Sequence, residues 1–462
     1  MGEAALMAAE SGCGLFLSNF RAALQWAVPY WDSQQWQPRF PAINEPVSLQ
    51  WVRQAIAQIL ATLQPENWLA ISGMAVGLTS TSLGAALSEL QGIILDCPAD
   101  WGDPYRFNLR EAILQAGLIS QGDRIYFATP LAGVLLQHRD RVNVPELGSI
   151  STVILYLDVE TTEVGLIDLG DRAPEPNNWH QSSLPYGARA LEQDIFASLI
   201  YPQWRSHYPD AFAEVVGELP ETAQSDPTQR QSLDWRWQQS YQLNDSCAEA
   251  IAQVKAMRSQ QQIVEGEWQG HPWQVAYEAL EEQILGSFWQ RLDLKLQELV
   301  AAPRQIAQIV VAGDSLLAKG GSLAARLAQK FPQATLTDLT SELPGVQLAK
   351  GLARLPLLPA FLDRDRHQYG DYFLLAELLQ ALPPYPFSQG EIFQRLRRQG
   401  INTRVCQRRL LALLEGKLPP LFAPVALTAE APPDAPTSRP FPSLITIAIK
   451  PIWKPASDCT SS

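Results

Sequence analysis

A turn rich in hydroxyls and carboxylates separates two apolar runs within residues 154–170, ILYLDVETTEVGLIDLG. Asp158 ends the first run, and Thr161 follows it, between Glu160 and Glu163. A carboxylate can hold a metal ion and a hydroxyl can donate to a phosphate oxygen, so this turn is a candidate site for a phosphate with its metal. The structural alternative is that Asp158 only caps the turn by accepting backbone N–H groups.

A second candidate site lies where Gly313, Asp314 and Ser315 follow the apolar run 306–311. Glycine at the end of a parallel strand lets backbone amides approach a ligand closely. The N-terminus of the next predicted helix, 322–330, favours anions. A plain turn between a strand and a helix is the alternative interpretation of these residues.

Apolar runs and helical periodicity predict the elements that must position the two turns. Residues 154–170 are typical of a hairpin whose first strand is buried on both faces. The order strand, helix, strand, helix in residues 92–138 predicts mostly parallel pairing, with helices packed on the sheet. The predicted strands are 92–96, 124–127, a pair within 263–275, and 306–311; the predicted helices are 48–63, 108–116, 131–138, one from 188 toward 201, 232–259, 276–300 and 322–330; residues 172–183 are expected to form a loop.

Composition restricts the classes of protein that fit. The chain has 462 residues, 46% of them hydrophobic and 18% charged, and a formal net charge of -13. Such a negative charge argues against a general nucleic-acid partner and against an anionic membrane surface, because both need a positive field. The five cysteines are scattered without a zinc or disulfide spacing. A soluble cytoplasmic protein is the expectation.

Two segments bear on membrane targeting or insertion, and neither indicates a membrane protein. The N-terminal residues MGEAALMAAE lack the basic segment of a signal peptide. The long uncharged run 68–87 contains Ser, Thr and Gly, which suit a bilayer core poorly. A buried helix or an insertion beside the core is the preferred interpretation of that run.

The C-terminal hundred residues differ from the rest of the chain. Residues 371–382 and 390–414 are predicted helices, the second interrupted at Gly400 and rich in arginine: Arg395, Arg397, Arg398, Arg404, Arg408 and Arg409. One interpretation is a small helix-turn-helix that contacts an acidic partner or nucleic acid; the other is a helical appendage with solvated arginines. The composition of residues 423–442 indicates a Pro-rich linker, and 443–449 could add a strand to a sheet edge.

The ordered series of segments resembles the ATPase domain of the DnaK-type heat-shock chaperones, in the actin-like superfamily. Residues 2–16 are similar to the family's early VGxxA segment, and the central hairpin resembles its second phosphate loop. GIILDCPADW with FNLREAILQAGL resembles the VTVPAYF strand and following helix, LPYGARALEQDI resembles the LGGEDFD segment, and VVAGDS with VQLAKGLA resembles the adenosine loop and its closing helix. The series covers about residues 2–353.

This resemblance implies an α/β fold of the actin-like ATPase type, with two ribonuclease-H-like lobes and a small helical C-terminal appendage. Residues 1–150 would form the first lobe, which is expected to be incomplete, and 151–357 the second lobe with both turns. Residues 358–422 would form the appendage, and 423–462 the linker and terminal strand. The appendage is too short for the family's peptide-binding domain and lid together.

The resemblance also implies which residues bind ATP or ADP with magnesium. Asp158 and Thr161 match the acid and the threonine of the second phosphate loop, with Glu163 near its second acid. The implied nucleotide-binding residues are Gly187, Lys255, Ser259, Gly313, Asp314, Ser315 and Gly351, and no protein residue is implied as a metal ligand. For Lys255, a solvated charge on a polar helix is the alternative.

Several departures from the family pattern bear on activity. The family's first phosphate loop, DLGTT, has no counterpart, and DVETTE stands where the second loop has DLGGGT. Thr129 or Ala128 replaces an acid before the conserved proline. Phosphoryl transfer needs positioned cations and donors, so we expect reduced or absent ATP hydrolysis.

Three hypotheses follow from these matches and departures. The first is a divergent DnaK-like protein that binds ATP or ADP weakly or as a regulator. The second is a non-catalytic interaction scaffold that keeps the actin-like fold without nucleotide, with the helical appendage as a surface for a protein partner. The third is a fragment of a working ATPase, for which an upstream extension with a DLGTT-like loop would be required.

Overall fold

The fold was obtained as a computed structural model. It describes residues 20–31, 35–40, 46–64, 66–67, 79–141, 150–169, 179–205, 230, 233, 241–257, 262–268, 270–300, 305–314, 322–340, 344–357, 362, 369–417 and 419. The predictions for residues 68–78 and 423–462 lie outside these ranges.

The N-terminal part packs helices around a parallel pair of strands. A 3-10 helix, Phe20–Gln25, and the helices α1 and α3 enclose one hydrophobic core with strands β5 and β6, which pair in parallel as predicted. Ser48 caps α1 by accepting from the Trp51 N–H at 3.2 Å, which explains where that helix begins. The elements are β1 (Tyr30–Trp31), β2 (Trp36–Gln37), β3 (Arg39–Phe40), β4 (Val47–Ser48), α1 (Leu49–Ala61), α2 (Ser80–Ser88), β5 (Ile93–Asp96), α3 (Asp103–Gln115), β6 (Ile125–Ala128) and α4 (Pro130–Arg141).

A five-stranded mixed sheet forms the centre of the molecule. Its strands are β7 (Ile150–Leu157), β8 (Thr162–Leu169), β9 (Trp179–Leu184), β12 (Ile306–Gly313) and β13 (Thr335–Asp338). The strand order is β13-β12-β7-β8-β9. The first three strands in sequence pair antiparallel, whereas β12 and β13 run parallel to β7. The predicted hairpin and the mixed α/β class are confirmed.

Strand β7 is buried on both faces, as its apolar sequence predicts. Val153, Leu155 and Leu157 face one core, while Ile154 and Tyr156 face the other. This alternation follows from the two-residue repeat of a strand. Since both faces carry apolar side chains, helices must cover both sides of the sheet.

The larger core lies on the face of Val153 and contains most of the helices of the second half. After β9 come α5 (Ala188–Ile195), a π-helical segment (Phe196–Ile200), α6 (Tyr201–Arg205), α7 (Tyr241–Ala256), the antiparallel pair β10 (Ile263–Trp268) and β11 (His271–Ala276), α8 (Tyr277–Ala279), a second π-helical segment (Leu280–Leu285), α9 (Gly286–Leu299) and α10 (Ser322–Lys330). Trp204 and Phe288 are among its fully buried side chains.

The opposite face is covered by α4 and by α11 (Pro344–Leu352), which pack against each other. A Cβ on Gly351 would overlap the backbone of Gly133, so the two helices approach too closely for a larger residue there. Helix α4 belongs to residues 1–150 by the sequence-based division, yet it covers the five-stranded sheet. It therefore connects the two proposed lobes.

Three helices form a compact C-terminal unit: α12 (Asp371–Ala381), α13 (Gln389–Arg398) and α14 (Gln407–Leu414). The predicted helices and the interruption at Gly400, where φ is +94°, are confirmed. Their core includes Phe107 of α3, so the unit rests on the N-terminal part. Asp103 accepts from the Tyr372 N–H at 3.0 Å at the same contact.

Two strands of the five-stranded sheet were not expected. Residues 179–183 belong to the predicted loop 172–183, but Trp179–Leu184 pairs with β8 as the edge strand β9. Its polar residues His180 and Gln181 are exposed, so only tertiary pairing shows that this segment is a strand. Strand β13 carries a similarly weak pattern, TLTD.

Candidate functional site

The turn after β7 is closed by its own backbone and by the start of α5. The Asp158 N–H donates to the Thr161 carbonyl at 2.8 Å. The N–H groups of Ala188 and Arg189 donate to the carbonyls of Asp158 and Val159 at 2.8 and 2.9 Å. These two helix N-terminal donors, which could otherwise bind a phosphate, are therefore used inside the protein.

Gly187 permits this close approach. A Cβ at that position would overlap the carbonyl of Val159 and crowd the backbone of Glu160 and Thr161. Gly187 thus lies beside Asp158 and Thr161 and holds the turn against α5.

The second predicted turn lies directly beside the first. Gly313 is opposite Leu157 in the parallel pair, and the Asp314 N–H donates to the Leu157 carbonyl at 3.0 Å. Gly313 has φ of +95°, and a Cβ there would overlap the Leu157 carbonyl. The two candidate turns, far apart in sequence, therefore form one region at the carboxyl ends of β7 and β12.

An arginine that sequence reasoning missed connects this region to the N-terminal part. Arg21, in the 3-10 helix, forms ion pairs with Asp158, at 3.2 Å, and with Asp96 at the end of β5. Asp158 is only 9% exposed, and burial raises its pKa although Arg21 lies beside it. Asp158 is therefore one end of an acid–cation–acid bridge, which we call the Arg21 bridge (Asp96, Arg21 and Asp158).

Aromatic contacts fix the guanidinium of Arg21 independently of the two acids. Its Nε donates to Tyr105 Oη at 2.8 Å, and its Cζ lies 5.2 Å from the Trp101 ring centroid and 5.5 Å from that of Tyr105. Asp96 could have been found from sequence, since it ends an apolar run as Asp158 does. No local signal identifies Arg21, because its partner Asp158 is 137 residues away.

Lys255 forms a second bridge of the same kind at the end of β12. Its Nζ donates to Glu192 at 2.9 Å and to Asp314 at 2.7 Å. Burial acts to lower the pKa of Lys255, but the charges of Glu192 and Asp314 outweigh it and raise that pKa. The lysine is half-buried and paired, not a solvated charge on a polar helix. We call this set the Lys255 bridge (Glu192, Lys255 and Asp314).

Glu163 is fully buried on β8 and accepts hydrogen bonds from neutral donors. Its Oε1 accepts from Thr161 Oγ1 at 2.8 Å and from Ser183 Oγ at 2.6 Å, and its Oε2 accepts from the Ala99 N–H at 3.0 Å. Burial raises the pKa of Glu163 to about 7. The Thr161 hydroxyl, a predicted catalytic group, therefore serves to hold Glu163, and Glu163 joins β8 to the segment after β5.

A cavity of about 730 Å³ opens beside the Arg21 bridge. All three residues of the bridge line it, and Tyr156 of β7 contributes to its wall. Most of the other lining residues lie in β5 or in and just after α11: Ile94, Leu95, Leu348, Ala349, Leu352 and Ala353. This volume is within the usual range of about 300–1,000 Å³ for small-molecule sites. One end of the cavity is charged and the wall is largely apolar.

The remaining predicted residues are distributed as follows. Gly351 lies on α11 against Gly133, one turn from cavity-lining residues, so its observed role is packing. Ser259 and Ser315 lie outside the described residues. The predicted roles of all these residues in binding nucleotide stay predictions.

The residues at the Arg21 bridge do not fit a magnesium ion as they stand. Magnesium requires oxygen ligands at about 2.0–2.1 Å in octahedral geometry. Asp96 and Asp158, the two carboxylates that converge on the cavity, both already contact the Arg21 guanidinium. Within the described residues there is no group of three or more His, Cys, Asp or Glu that could hold a metal ion.

The arginines of the C-terminal unit divide into two groups. Arg395 pairs with Glu391 at 3.1 Å, and Arg409 pairs with Asp371 at 2.6 Å. The exposed ones lie on and around the connection between α13 and α14: Arg397, Arg398, Arg404 and Arg408. Both interpretations, a surface for an acidic partner and a solvated helical appendage, stay open for these four.

Three cysteines within the described part of the chain, Cys97, Cys247 and Cys406, are free and buried. No helix in the described ranges has the length and apolar character needed to cross a bilayer.

The chain matches no protein-family model and no curated protein. The geometry at the carboxyl ends of β5, β7 and β12 therefore carries the functional argument.

Proposed function

We propose that this chain is a divergent DnaK-like protein of the actin-like fold, which binds ATP or ADP weakly between its lobes and hydrolyses ATP slowly or not at all. The observation that carries the proposal is the cavity of about 730 Å³ beside Asp158, at the carboxyl ends of β5 and β7. Ligands of open α/β sheets bind at this edge. The proposed setting is the cytoplasm, in keeping with the acidic composition and the free cysteines.

The sheet order supports the choice of fold. Three consecutive antiparallel strands, followed by two strands parallel to the first and connected through helices, make up a ribonuclease-H-like lobe. The order β13-β12-β7-β8-β9 has this pattern. The parallel pair β5–β6, each strand followed by a helix, would be the corresponding end of the first lobe.

Slow or absent hydrolysis follows from how the polar groups are used. Asp158 is paired with Arg21, and the Thr161 hydroxyl donates to Glu163. The N–H groups of Ala188 and Arg189 donate to turn carbonyls. Catalysis of phosphoryl transfer needs such groups aimed at the phosphate and at the attacking water.

A specific observation also favours the second candidate, a scaffold that keeps the fold without nucleotide. Besides the Arg21 bridge, two hydrogen bonds join the segment after β5 to the five-stranded sheet: Ala99 N–H to Glu163 at 3.0 Å and Ser183 N–H to Asp100 at 3.2 Å. These links join the two parts directly through protein groups. The C-terminal unit would then present the surface for a protein partner.

Titration calorimetry with ATP and ADP, with and without magnesium, separates the two candidates. A ligand that binds only the folded state raises its stability by RT ln(1 + [L]/Kd), so thermal unfolding in millimolar nucleotide is a second readout. Saturable binding supports the nucleotide-binding function. The absence of both heat and thermal shift contradicts it and supports the scaffold.

A cavity-filling variant locates the binding. Ala349 lines the cavity from the exposed side of α11, so Ala349→Trp should block the ligand and leave the core intact. The matched control is Ala86→Trp, at an exposed position on α2. Nucleotide binding that survives Ala349→Trp would place the ligand elsewhere.

A further inference from the structure

Arg21 stands where a divalent cation would be expected in a phosphate-binding site. Asp96 and Asp158 end strands from the two proposed lobes, and their carboxylates converge on the charged end of the cavity. Paired carboxylates beside a phosphate site usually share a metal ion. Here a guanidinium lies between them and contacts both.

The arginine is held at this position by contacts other than the acids. Tyr105 accepts from Nε, and the rings of Trp101 and Tyr105 lie within 6 Å of the guanidinium carbon. A metal ion that entered would have to displace the Arg21 side chain, which the Trp101 and Tyr105 rings also contact. It would also meet a charge of the same sign that arginine keeps at any physiological pH.

The guanidinium can still bind a ligand. A guanidinium has five N–H groups, and the three hydrogen bonds of Arg21 within the described chain use three of them. Arg21 lines the cavity and its side chain is 33% exposed, so the two N–H groups that these three hydrogen bonds leave over belong to a group that a ligand in the cavity can reach. It is also the one cationic side chain among the described lining residues.

We infer that Arg21 takes the place of the divalent cation in this site, so that the cavity binds the anionic group of its ligand without magnesium. The inference rests on the proposed function for the identity of the ligand. The claim that Arg21 occupies the place of a divalent cation does not depend on the ligand being a nucleotide. The two parts are therefore tested separately.

The first test uses Mn²⁺ alone, because it is bound more tightly than Mg²⁺ by the same oxygen ligands and is detected directly by electron paramagnetic resonance. The wild-type chain is expected to show no saturable Mn²⁺ binding at the bridge. Arg21→Ala frees both carboxylates, and we expect saturable Mn²⁺ binding at least about tenfold tighter than any residual Mn²⁺ binding of the wild type. Adding Asp96→Asn to that variant should remove the gain.

Arg409→Ala is the matched control, because within the described residues Arg409 forms an ion pair with one carboxylate, that of Asp371, whereas Arg21 pairs with two. An Arg21→Ala chain that is folded by circular dichroism and gains no Mn²⁺ binding overturns the inference. The inference is also overturned if the wild type binds Mn²⁺ saturably and Asp158→Asn removes that binding. This last comparison remains decisive if Arg21→Ala does not fold.

The second test is the titration of wild-type protein with ADP in EDTA and in magnesium. The expected result is the same affinity in both buffers. Binding that occurs only with magnesium contradicts the role of Arg21. Absence of binding in both buffers contradicts the proposed function and leaves the Mn²⁺ result standing.

Discussion

The Arg21 bridge and the Lys255 bridge have the same chemistry at neighbouring strand ends but join different parts of the molecule. In each, one cation contacts two carboxylates, and Asp158 and Asp314 follow the adjacent strands β7 and β12. The Lys255 bridge lies within one proposed lobe, between α7, α5 and the end of β12. The Arg21 bridge joins β5 to β7 and thus connects the two proposed lobes.

The choice of cation matches this difference. Lysine is a flexible point charge, whereas the arginine fork contacts two acids and stacks on aromatic rings. Arg21 uses both properties, since it contacts Asp96 and Asp158 and also lies within 6 Å of the ring centroids of Trp101 and Tyr105. The bridge between the lobes is therefore preorganised, and the bridge within one lobe relies on a fold that already exists around it.

The largest expected effect comes from the residue that positions both bridges. Gly313→Val places a branched side chain at φ of +95° and against the Leu157 carbonyl. Backbone strain and overpacking together should lower the free energy of unfolding by about 3–5 kcal/mol, as measured by urea denaturation.

Gly345→Ala is the control for that variant. Gly345 lies in the first turn of α11, and a Cβ there meets nothing within 4 Å. Alanine should stabilise the helix by up to about 1 kcal/mol. If Gly313→Val has a similarly small effect, the ends of β7 and β12 can separate at little cost. Gly313 would then not be the residue that positions both bridges.

Glu163 sharpens the comparison because it links the two proposed lobes through hydrogen bonds from neutral donors, with no cation. Its pKa is raised from 4.5 to about 7, so the folded chain binds more protons than the unfolded chain between these values. The free energy of unfolding should therefore fall as the pH rises from 4.5 through 7, by about 3 kcal/mol, and then level off.

Glu163→Gln removes this titration, and the hydroxyls of Thr161 and Ser183 can turn to accept from the new amide. Urea denaturation across this pH range should therefore give a flatter profile for the variant than for the wild type. Parallel profiles for the two proteins would mean that another group causes the pH dependence.

Removing the cation between the lobes is expected to have the next largest effect. Arg21→Leu leaves Asp96 and Asp158 facing each other, and a cation lost from a buried ion pair typically costs about 3–5 kcal/mol. Arg21 is 33% exposed, so we expect about 2–3 kcal/mol in urea denaturation.

Hydrogen exchange tests the role of this bridge between the lobes. The Ala99 N–H, which donates to Glu163, should exchange faster in Arg21→Leu, while core amides of β7 change only with global stability. Equal acceleration of both would show that Arg21 acts on the whole fold. Asp158→Asn added to Arg21→Leu should recover part of the loss, because it removes one of the two charges.

Sequence alone could predict the elements whose apolar residues repeat regularly. The hairpin of β7 and β8, the helix α1 with its Ser48 cap and the three C-terminal helices follow from local periodicity. Strand β9 does not, because its exposed residues His180 and Gln181 carry no strand pattern and only pairing with β8 defines it.

The site was predictable in the same limited way. The two turns were found because polar residues end apolar strands, and a parallel sheet places such ends together. The partners of these residues were not, since Arg21 lies 75 and 137 residues from Asp96 and Asp158. A sequence motif cannot show that a carboxylate is already paired, and that pairing changes the expected chemistry of Asp158.

The smallest effect is expected at the Lys255 bridge. Lys255→Met keeps the length of the side chain and removes its charge, but Glu192 still pairs with Arg189 at 3.3 Å. The bridge lies within one lobe, so its loss should lower the free energy of unfolding by about 1 kcal/mol and leave exchange of the Ala99 N–H unchanged relative to the core. Lys295→Met, which breaks an exposed pair with Glu298, is the control and should cost at most about 0.5 kcal/mol. If Lys255→Met instead accelerates exchange at Ala99 as Arg21→Leu does, the two bridges are coupled across the β7–β12 strand ends, and the distinction between a bridge within a lobe and a bridge between lobes fails.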